Sequence, residues 1–268
     1  MTALHHVEYG AGIPLLALHG WTADHRLMTG CLEPVFATRP GYRRVYPDLP
    51  GMGKSPAESI ASGDDLLAAL LGFVDDVVGG RRFLLVGESY GGYLARGIAA
   101  ARPGRVLGLA LICPTGVQFE PAERTLPPKT VLRPDVDLIA GLDPAEAEEY
   151  TEVAVVQSPA TLRRFRDEVA PGLGQYDQAA IDRIEPRRRL TVDPEGEGAP
   201  FASPALILTG RQDDTVGYVD QFALLPHYPR ATFAVLDVAG HNLQIEQPEL
   251  FGTLVAEWLD RVAAEGGH

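Results

Sequence analysis

The sequence predicts an α/β protein with one mostly parallel sheet, helices on both of its faces, and a helical segment inserted after the fifth strand. Three observations carry this. Short apolar runs of strand length alternate with amphipathic helical runs along most of the 268 residues, the rhythm of a parallel sheet wrapped by helices. The pentapeptide Gly87-Glu88-Ser89-Tyr90-Gly91 stands between a strand-like run, Arg82 to Val86, and a helix-like run, Tyr93 to Ala100. From about Thr115 to Ser203 the rhythm breaks, and helix signatures occur there without a convincing buried strand.

Taken in order, a short hairpin around Val7 to Gly12 is expected to lead into a strand over 13–19, followed by a helix from Leu27 to Ala37 and a strand from Tyr42 to Tyr46. Ser62-Gly63-Asp64-Asp65 reads as a capping box. It opens an amphipathic helix whose apolar side holds Leu66, Leu70, Val74 and Val77. The strand into Gly87 and the helix behind it come next, then a strand from Leu107 to Cys113. Two later strands run through Leu206–Leu208 and Phe233–Val238. A last helix from Pro248 carries Leu250, Phe251, Leu254, Val255, Trp258 and Val262 at helical spacing, a stripe that must face the sheet. Within the interruption, Asp143-Pro144-Ala145-Glu146 and Ser158-Pro159 are helix starts. A third helix fits Gln175 to Ile184. Leu162 and Phe165 have no sheet to cover within that segment, and are expected over the pocket at Ser89.

The pentapeptide has the G-x-S-x-G form. A chain that turns from strand to helix within a few residues passes close to itself, and glycine at 87 and 91 leaves the space. The serine hydroxyl is then held at the tip of the sheet, at the positive end of a helix. Downstream, a strand runs into Gly210-Arg211-Gln212-Asp213, and another into Gly240-His241. Upstream, a strand ends in His19-Gly20-Trp21. The order serine, aspartate, histidine, each after its own strand, is that of one large class of serine hydrolases.

With these pieces, and with Asp48-Leu49-Pro50-Gly51-Met52-Gly53-Lys54-Ser55 and Gly240 to Pro248, the chain resembles the α/β-hydrolase superfamily over nearly its whole length. The resemblance implies Ser89 as nucleophile, His241 as base and Asp213 as the carboxylate that orients it. The backbone amides of Trp21 and Tyr90 would form the oxyanion hole. It also implies a division into a core of residues 1–115 and 204–268 and a helical cap of residues 116–203 over the active site. The family's Gly-x-x-Asp spacing falls on Asp213, leaving Asp214 as a loop carboxylate. Asp48 is expected to hold the Pro-Gly turn, Asp237 to make a structural hydrogen bond, and His19 to order the oxyanion loop. His25 is either a pocket or a surface residue.

Departures from known relatives narrow the reaction. The nucleophile is not the aspartate of dehalogenases and epoxide hydrolases. The His-Gly loop is neither the glycine-rich loop usual in meta-cleavage carbon–carbon bond hydrolases nor the His-Gly-Gly-Pro-Gly of proline iminopeptidases. Tyr90 stands where cofactor-free haloperoxidases often have methionine. The expected enzyme is a carboxylesterase-like serine hydrolase of an ester, thioester or lactone, working through an acyl-enzyme. An acyltransferase, a carbon–carbon bond hydrolase and a non-catalytic binding protein are the alternatives.

Composition agrees. A chain 46% hydrophobic can bury a large core, and no run of about 18 apolar residues suggests a membrane span. The formal net charge of −13 argues against nucleic acid and anionic membrane surfaces as partners. A small acyl compound is the expected partner, with homo-oligomerisation left open. The two cysteines, Cys31 and Cys113, read as reduced buried thiols, and with no basic or apolar leader the expected location is cytoplasmic. No dinucleotide or phosphate loop and no Cys/His cluster is present, so neither cofactor nor metal is expected.

Overall fold

The computed structural model describes residues 4–196 and 198–266. Its seven-stranded sheet consists of β1 (His6–Tyr9), β2 (Ile13–Leu18), β3 (Tyr42–Pro47), β4 (Phe83–Glu88), β5 (Val106–Ile112), β6 (Ala205–Gly210) and β7 (Ala231–Leu236), in the order β1-β3-β2-β4-β5-β6-β7. All neighbours are parallel except β1 with β3. The expected hairpin is therefore corrected: β1 does not pair with β2 across the Gly10–Gly12 turn. It joins the sheet edge beyond β3, matching His6 to Pro47 and Tyr9 to Arg44. Arg43, on that edge, holds Glu8 through a pair of charged hydrogen bonds of 2.9 and 2.5 Å.

The central strands are apolar on both faces because both are covered. Leu16, Leu18, Leu85, Leu109 and Leu111 point into one core, against α2 (Gly63–Val77) and α3 (Ser89–Ala101). Leu15, Ala17, Leu84, Val86, Ala110 and Ile112 point into the other, against α1 (His25–Phe36) and the last helix. The α2 cap differs from the expected box in one bond: Ser62 Oγ accepts the Asp65 amide, but Asp65 Oδ2 accepts the amide of Ala61, one residue before the cap, and the Ser62 hydroxyl.

Between β5 and β6 lies the helical insertion. It contains α4 (Val136–Ala140), α5 (Pro144–Val153), α6 (Pro159–Arg164), a π-helical turn (Phe165–Val169), α7 (Ala170–Leu173) and α8 (Gln178–Ile184). Asp143, Ser158 and Asp177 cap α5, α6 and α8 with their side chains. After β7 come α9 (Leu243–Glu246) and α10 (Pro248–Gly266). The insertion is fastened at both ends. Arg96, fully buried on α3, donates to Glu195 at 2.7 and 2.5 Å and to the Thr115 carbonyl, and Glu195 also accepts from Tyr228 Oη at 2.7 Å. Glu246 Oε1 accepts the amides of Val155 and Val156, and Glu246 Oε2 accepts that of Gly240. One carboxylate thus joins the insertion to the loop that carries His241.

Leu162 and Phe165 are buried, but not over Ser89. They pack with Tyr150, Val169, Ala23, Leu27 and Ile245 and join the insertion to the loops of the sheet. The sequence pattern marks which side of a helix is apolar; it does not say which neighbour that side meets.

Candidate active site

The chain leaves β2 for β3 on one side, then returns to place β4 on the other side of β2. A crevice opens at the carboxyl ends of two such strands, where open α/β sheets bind their ligands. Leu18 of β2 is in register with Gly87 of β4. That register sets His19-Gly20-Trp21 directly beside Glu88-Ser89-Tyr90.

The turn at Ser89 is as tight as its glycines suggest. A Cβ at Gly87 would lie 2.5 Å from the Gly91 carbonyl oxygen, and one at Gly91 would lie 2.3 Å from that of His19. Ser89 itself has φ +51°, a left-handed conformation that non-glycine residues adopt at a cost. Its Oγ lies 2.9 Å from His241 Nε2. His241 Nδ1 lies 3.0 Å from Asp213 Oδ2. The other Asp213 oxygen accepts the amides of Thr215 and Val216 at 2.9 and 3.0 Å, which fixes the carboxylate's orientation. The three sequence candidates therefore meet in one line, although Ser89 and His241 are 152 positions apart.

Electrostatics follow from that line. Burial would raise the Asp213 carboxyl, but the His241 charge and the hydrogen bonds from His241 and the loop amides hold it below its usual value. Burial alone would lower His241. The Asp213 charge and hydrogen bond, with Glu88 behind them, outweigh burial and lift it to about 9. Asp214 lines the cavity and makes no bond to His241. Asp237 accepts from Gln212 Nε2 at 2.9 Å, a structural bond.

The amides of Trp21 and Tyr90 donate to no protein acceptor among the described residues. His19 braces this loop, with Nδ1 2.8 Å from the Gly20 carbonyl and Nε2 accepting the Leu49 amide at 2.9 Å. The Tyr90 ring meets Trp21 edge-on, and its hydroxyl donates to the Arg188 carbonyl at 2.7 Å, so the residue after Ser89 ties down the end of the insertion.

Asp48 lies apart from this line. One oxygen accepts the amide and Nδ1 of His25, the other the Lys54 amide and Nδ1 of His5. It holds the turn, and His25 is spent on it rather than on the pocket. His5, His25 and Asp48 have atoms close enough to surround a cation. Their chemistry is that of a carboxylate filled by N–H donors, which leaves no lone pair facing a metal. Cys113, Asp213 and His241 form a second close group, but Asp213 and His241 are already committed to each other.

Above Ser89 is a cavity of about 520 Å³ lined by core loops and the insertion, including Phe119, Val153, Val169 and Leu173. Sequence reasoning missed three charged residues on its wall: Glu88, Arg124 and Arg188. Arg188 lies over the rings of Trp21 and Phe119, with guanidinium-to-ring distances of 5.8 and 5.6 Å. Its Nη1 forms an ion pair with Glu185 Oε1 at 3.6 Å. Arg124 donates to the carbonyls of Gln118, Phe119 and Thr215, and among the described residues it pairs with no carboxylate. Two guanidinium groups thus share a wall with Ser89, together with the carboxyl groups of Glu88 and Asp214. The only sequence signal for Glu88 was its place inside the pentapeptide.

The sequence matches the alpha/beta hydrolase family over residues 15–252. The chain belongs to that family. Among solved structures, the alpha/beta superfamily hydrolase from Oenococcus oeni PSU-1 superposes with a TM-score of 0.87 and 30% identity, covering 96% of each chain. Among curated proteins, the 2-hydroxymuconate semialdehyde hydrolase of Pseudomonas putida is 28% identical over 96% of this chain and 90% of its own length. A 2-hydroxy-6-oxononadienedioate/2-hydroxy-6-oxononatrienedioate hydrolase from Dechloromonas aromatica is 27% identical, with the same two coverages. These relatives give the α/β-hydrolase a different emphasis from the one its His-Gly-Trp loop suggested, since that loop had set carbon–carbon bond hydrolases among the alternatives. Among the described residues, no helix is long and apolar enough to cross a membrane.

Proposed function

We propose that the protein is a serine hydrolase that cleaves the carbon–carbon bond beside the oxo group of a small 2-hydroxy-oxo acid. The observation that carries this reading is the presence of Arg188 and Arg124 in the cavity of the Ser89–His241–Asp213 line. The curated relatives support it, because their named substrates contain carboxylates and an oxo or aldehyde group but no ester. An ester expels an alkoxide, which is a competent leaving group. A carbon–carbon bond expels a carbanion, so the 2-hydroxy-dienoate must first pass its enol proton to the carbon beside the oxo group; the departing pair then spreads through the resulting enone onto the 2-oxo oxygen. Cations on the cavity wall stabilise that charge as it develops.

In this reading Ser89 Oγ adds to the oxo carbon while its proton passes to His241 Nε2. The new oxyanion takes the free amides of Trp21 and Tyr90. Collapse breaks the bond to the adjacent carbon, which leaves with the electron pair and takes the proton from His241. Water, deprotonated by His241, then releases the acyl group from Ser89. The insertion acts as a cap, with Val153, Val169 and Leu173 giving the chain an apolar passage.

The test compares 2-hydroxymuconate semialdehyde with p-nitrophenyl acetate. The dienoate should be the better substrate in kcat/KM by about a hundredfold or more, roughly 2.7 kcal/mol or more of differential transition-state binding. Arg188→Gln should lower kcat/KM for the dienoate by about two orders of magnitude and leave the neutral ester within about threefold. Turnover of the ester with none of the dienoate would return the assignment to a carboxylesterase.

A further inference from the structure

Glu88 occupies the second position of the pentapeptide and ends β4, where an unpaired carboxyl would be costly. Its side chain is 3% exposed. It presses on the oxyanion loop so closely that a Cβ at Gly20 would lie 2.3 Å from Oε2. Its other oxygen, Oε1, lies 3.4 Å from His241 Nε2, the same nitrogen that reaches Ser89 Oγ at 2.9 Å. Asp213 holds the opposite nitrogen. The imidazole therefore has a carboxylate at each end, one of them beside the atom that must receive the serine proton.

We propose that Glu88 is a positioning residue for His241: it shares a proton with Nε2 in the resting enzyme and braces the imidazolium when Ser89 has given up its own. The proton count is simple. With one proton on the pair, either Glu88 is neutral and its O–H competes with Ser89 for the Nε2 lone pair, or Glu88 is ionised and Nε2 already carries a hydrogen. Neither form can accept the serine proton. The base is free once that proton leaves, and Glu88 is then an anion placed to stabilise the imidazolium formed during attack.

The surroundings fit this sharing. Burial pushes Glu88 up to about 7 against the pull of His241, with the Asp213 charge adding to the rise and the Gly20 amide opposing it. Among the described residues, other ionisable groups packed around the pair are few. From the β2 loop comes His19, whose burial lowers it and keeps it neutral. From the end of β5 comes Cys113, a thiol that burial keeps protonated. Asp213 faces the pair from the β6 loop, and Arg124 acts on His241 from the cavity wall. Cys31, on α1, is also kept protonated by burial. None of these competes for the proton near neutrality. The two groups titrate as a unit, so the acid limb of activity belongs to the pair.

This inference rests on Ser89 and His241 being nucleophile and base, but not on the substrate assigned above, so p-nitrophenyl acetate serves as probe. In wild type the acid limb of kcat/KM should lie well above pH 6.5, the usual histidine value. In Glu88→Gln it should move down by about one unit or more, making the free-base fraction at pH 7 about tenfold larger. The plateau at high pH should fall, because the imidazolium has lost a brace, so the two profiles cross. A structural role alone would lower the whole profile without moving its limb. Glu88→Asp, which keeps the charge but draws it back from Nε2, should give an intermediate limb. An independent readout on the wild-type chain is the His241 Cε1–H NMR signal, which should show two inflections with pH, the lower one from Glu88. An unmoved limb in Glu88→Gln overturns the proposal. If that variant does not fold, a single inflection near pH 6.5 in the wild-type signal overturns it equally. A chain with no esterase activity but a two-step His241 titration would instead fault the functional reading and leave the shared proton standing.

Discussion

Ser89→Ala is expected to lower kcat by about 10⁶ on any substrate the wild type turns over, as removing the nucleophile does in a serine protease. The variant keeps the free amides of Trp21 and Tyr90, so a residual rate of about 10³–10⁴ over water is expected from them and from binding. A fluorophosphonate should label the wild type once per chain and the variant not at all. Loss of a hydroxyl from a serine that is 8% exposed also relieves no crowding and leaves no large cavity. The unfolding temperature should stay within a few degrees of wild type, about 1 kcal/mol in a domain of this size. Labelling of Ser89→Ala at the wild-type rate would mean that the acylated residue is another serine.

Most of the fold is legible in the sequence because strands covered on both faces are apolar along nearly their whole length. β2, β4, β5 and β6 have no exposed residue in any position. Such runs can be recognised without knowing their partners. β1 differs: it lies at the edge, is only half buried, and pairs with β3. Its partner is set by the topology of the whole sheet, and the nearby Gly10 and Gly12 suggest a hairpin that does not form.

The site divides in the same way. Gly87, Ser89 and Gly91 are legible because a strand-to-helix reversal imposes its own local demands, and Asp213 and His241 because each follows a recognisable strand. The charged cavity wall is not. Arg124 and Arg188 come from the two ends of the insertion, and their common wall exists only after it folds over β2 and β4. Glu88 is hidden for another reason. In sequence it is the variable residue of a motif, and its chemical meaning comes from His241, delivered by a loop on the far side of the sheet. Leu162 and Phe165 show the limit from the apolar side, since an amphipathic helix can face a pocket or another helix with the same pattern.

Asp213→Asn and Asp214→Asn should separate two adjacent carboxylates by their effects on one activated ester. Asp213 is fully buried, touches His241 Nδ1 at 3.0 Å, and has its second oxygen held by two backbone amides. An asparagine there can keep the amide bonds through its carbonyl, and then its NH₂ must face His241. An NH₂ group donates, so His241 is driven to the tautomer with hydrogen on Nε2. That places a hydrogen where the lone pair for the Ser89 proton is needed. The analogous change in a serine protease costs about 10⁴ in kcat, or roughly 5.4 kcal/mol of barrier, and an effect of that order is expected. Asp213→Asn also removes the anion that does most to hold His241 protonated, so the residual activity should show its acid limb at lower pH. Asp214 lines the same cavity but does not touch the imidazole. Its replacement should change kcat by less than about tenfold, or 1.4 kcal/mol, with any larger effect confined to KM for anionic substrates. Both variants should give the wild-type circular dichroism spectrum, since the exchange preserves shape. If Asp214→Asn is the crippled enzyme and Asp213→Asn retains wild-type kcat, then His241 is not oriented by the carboxylate it touches, and the line from Ser89 through His241 to Asp213 is not the catalytic one.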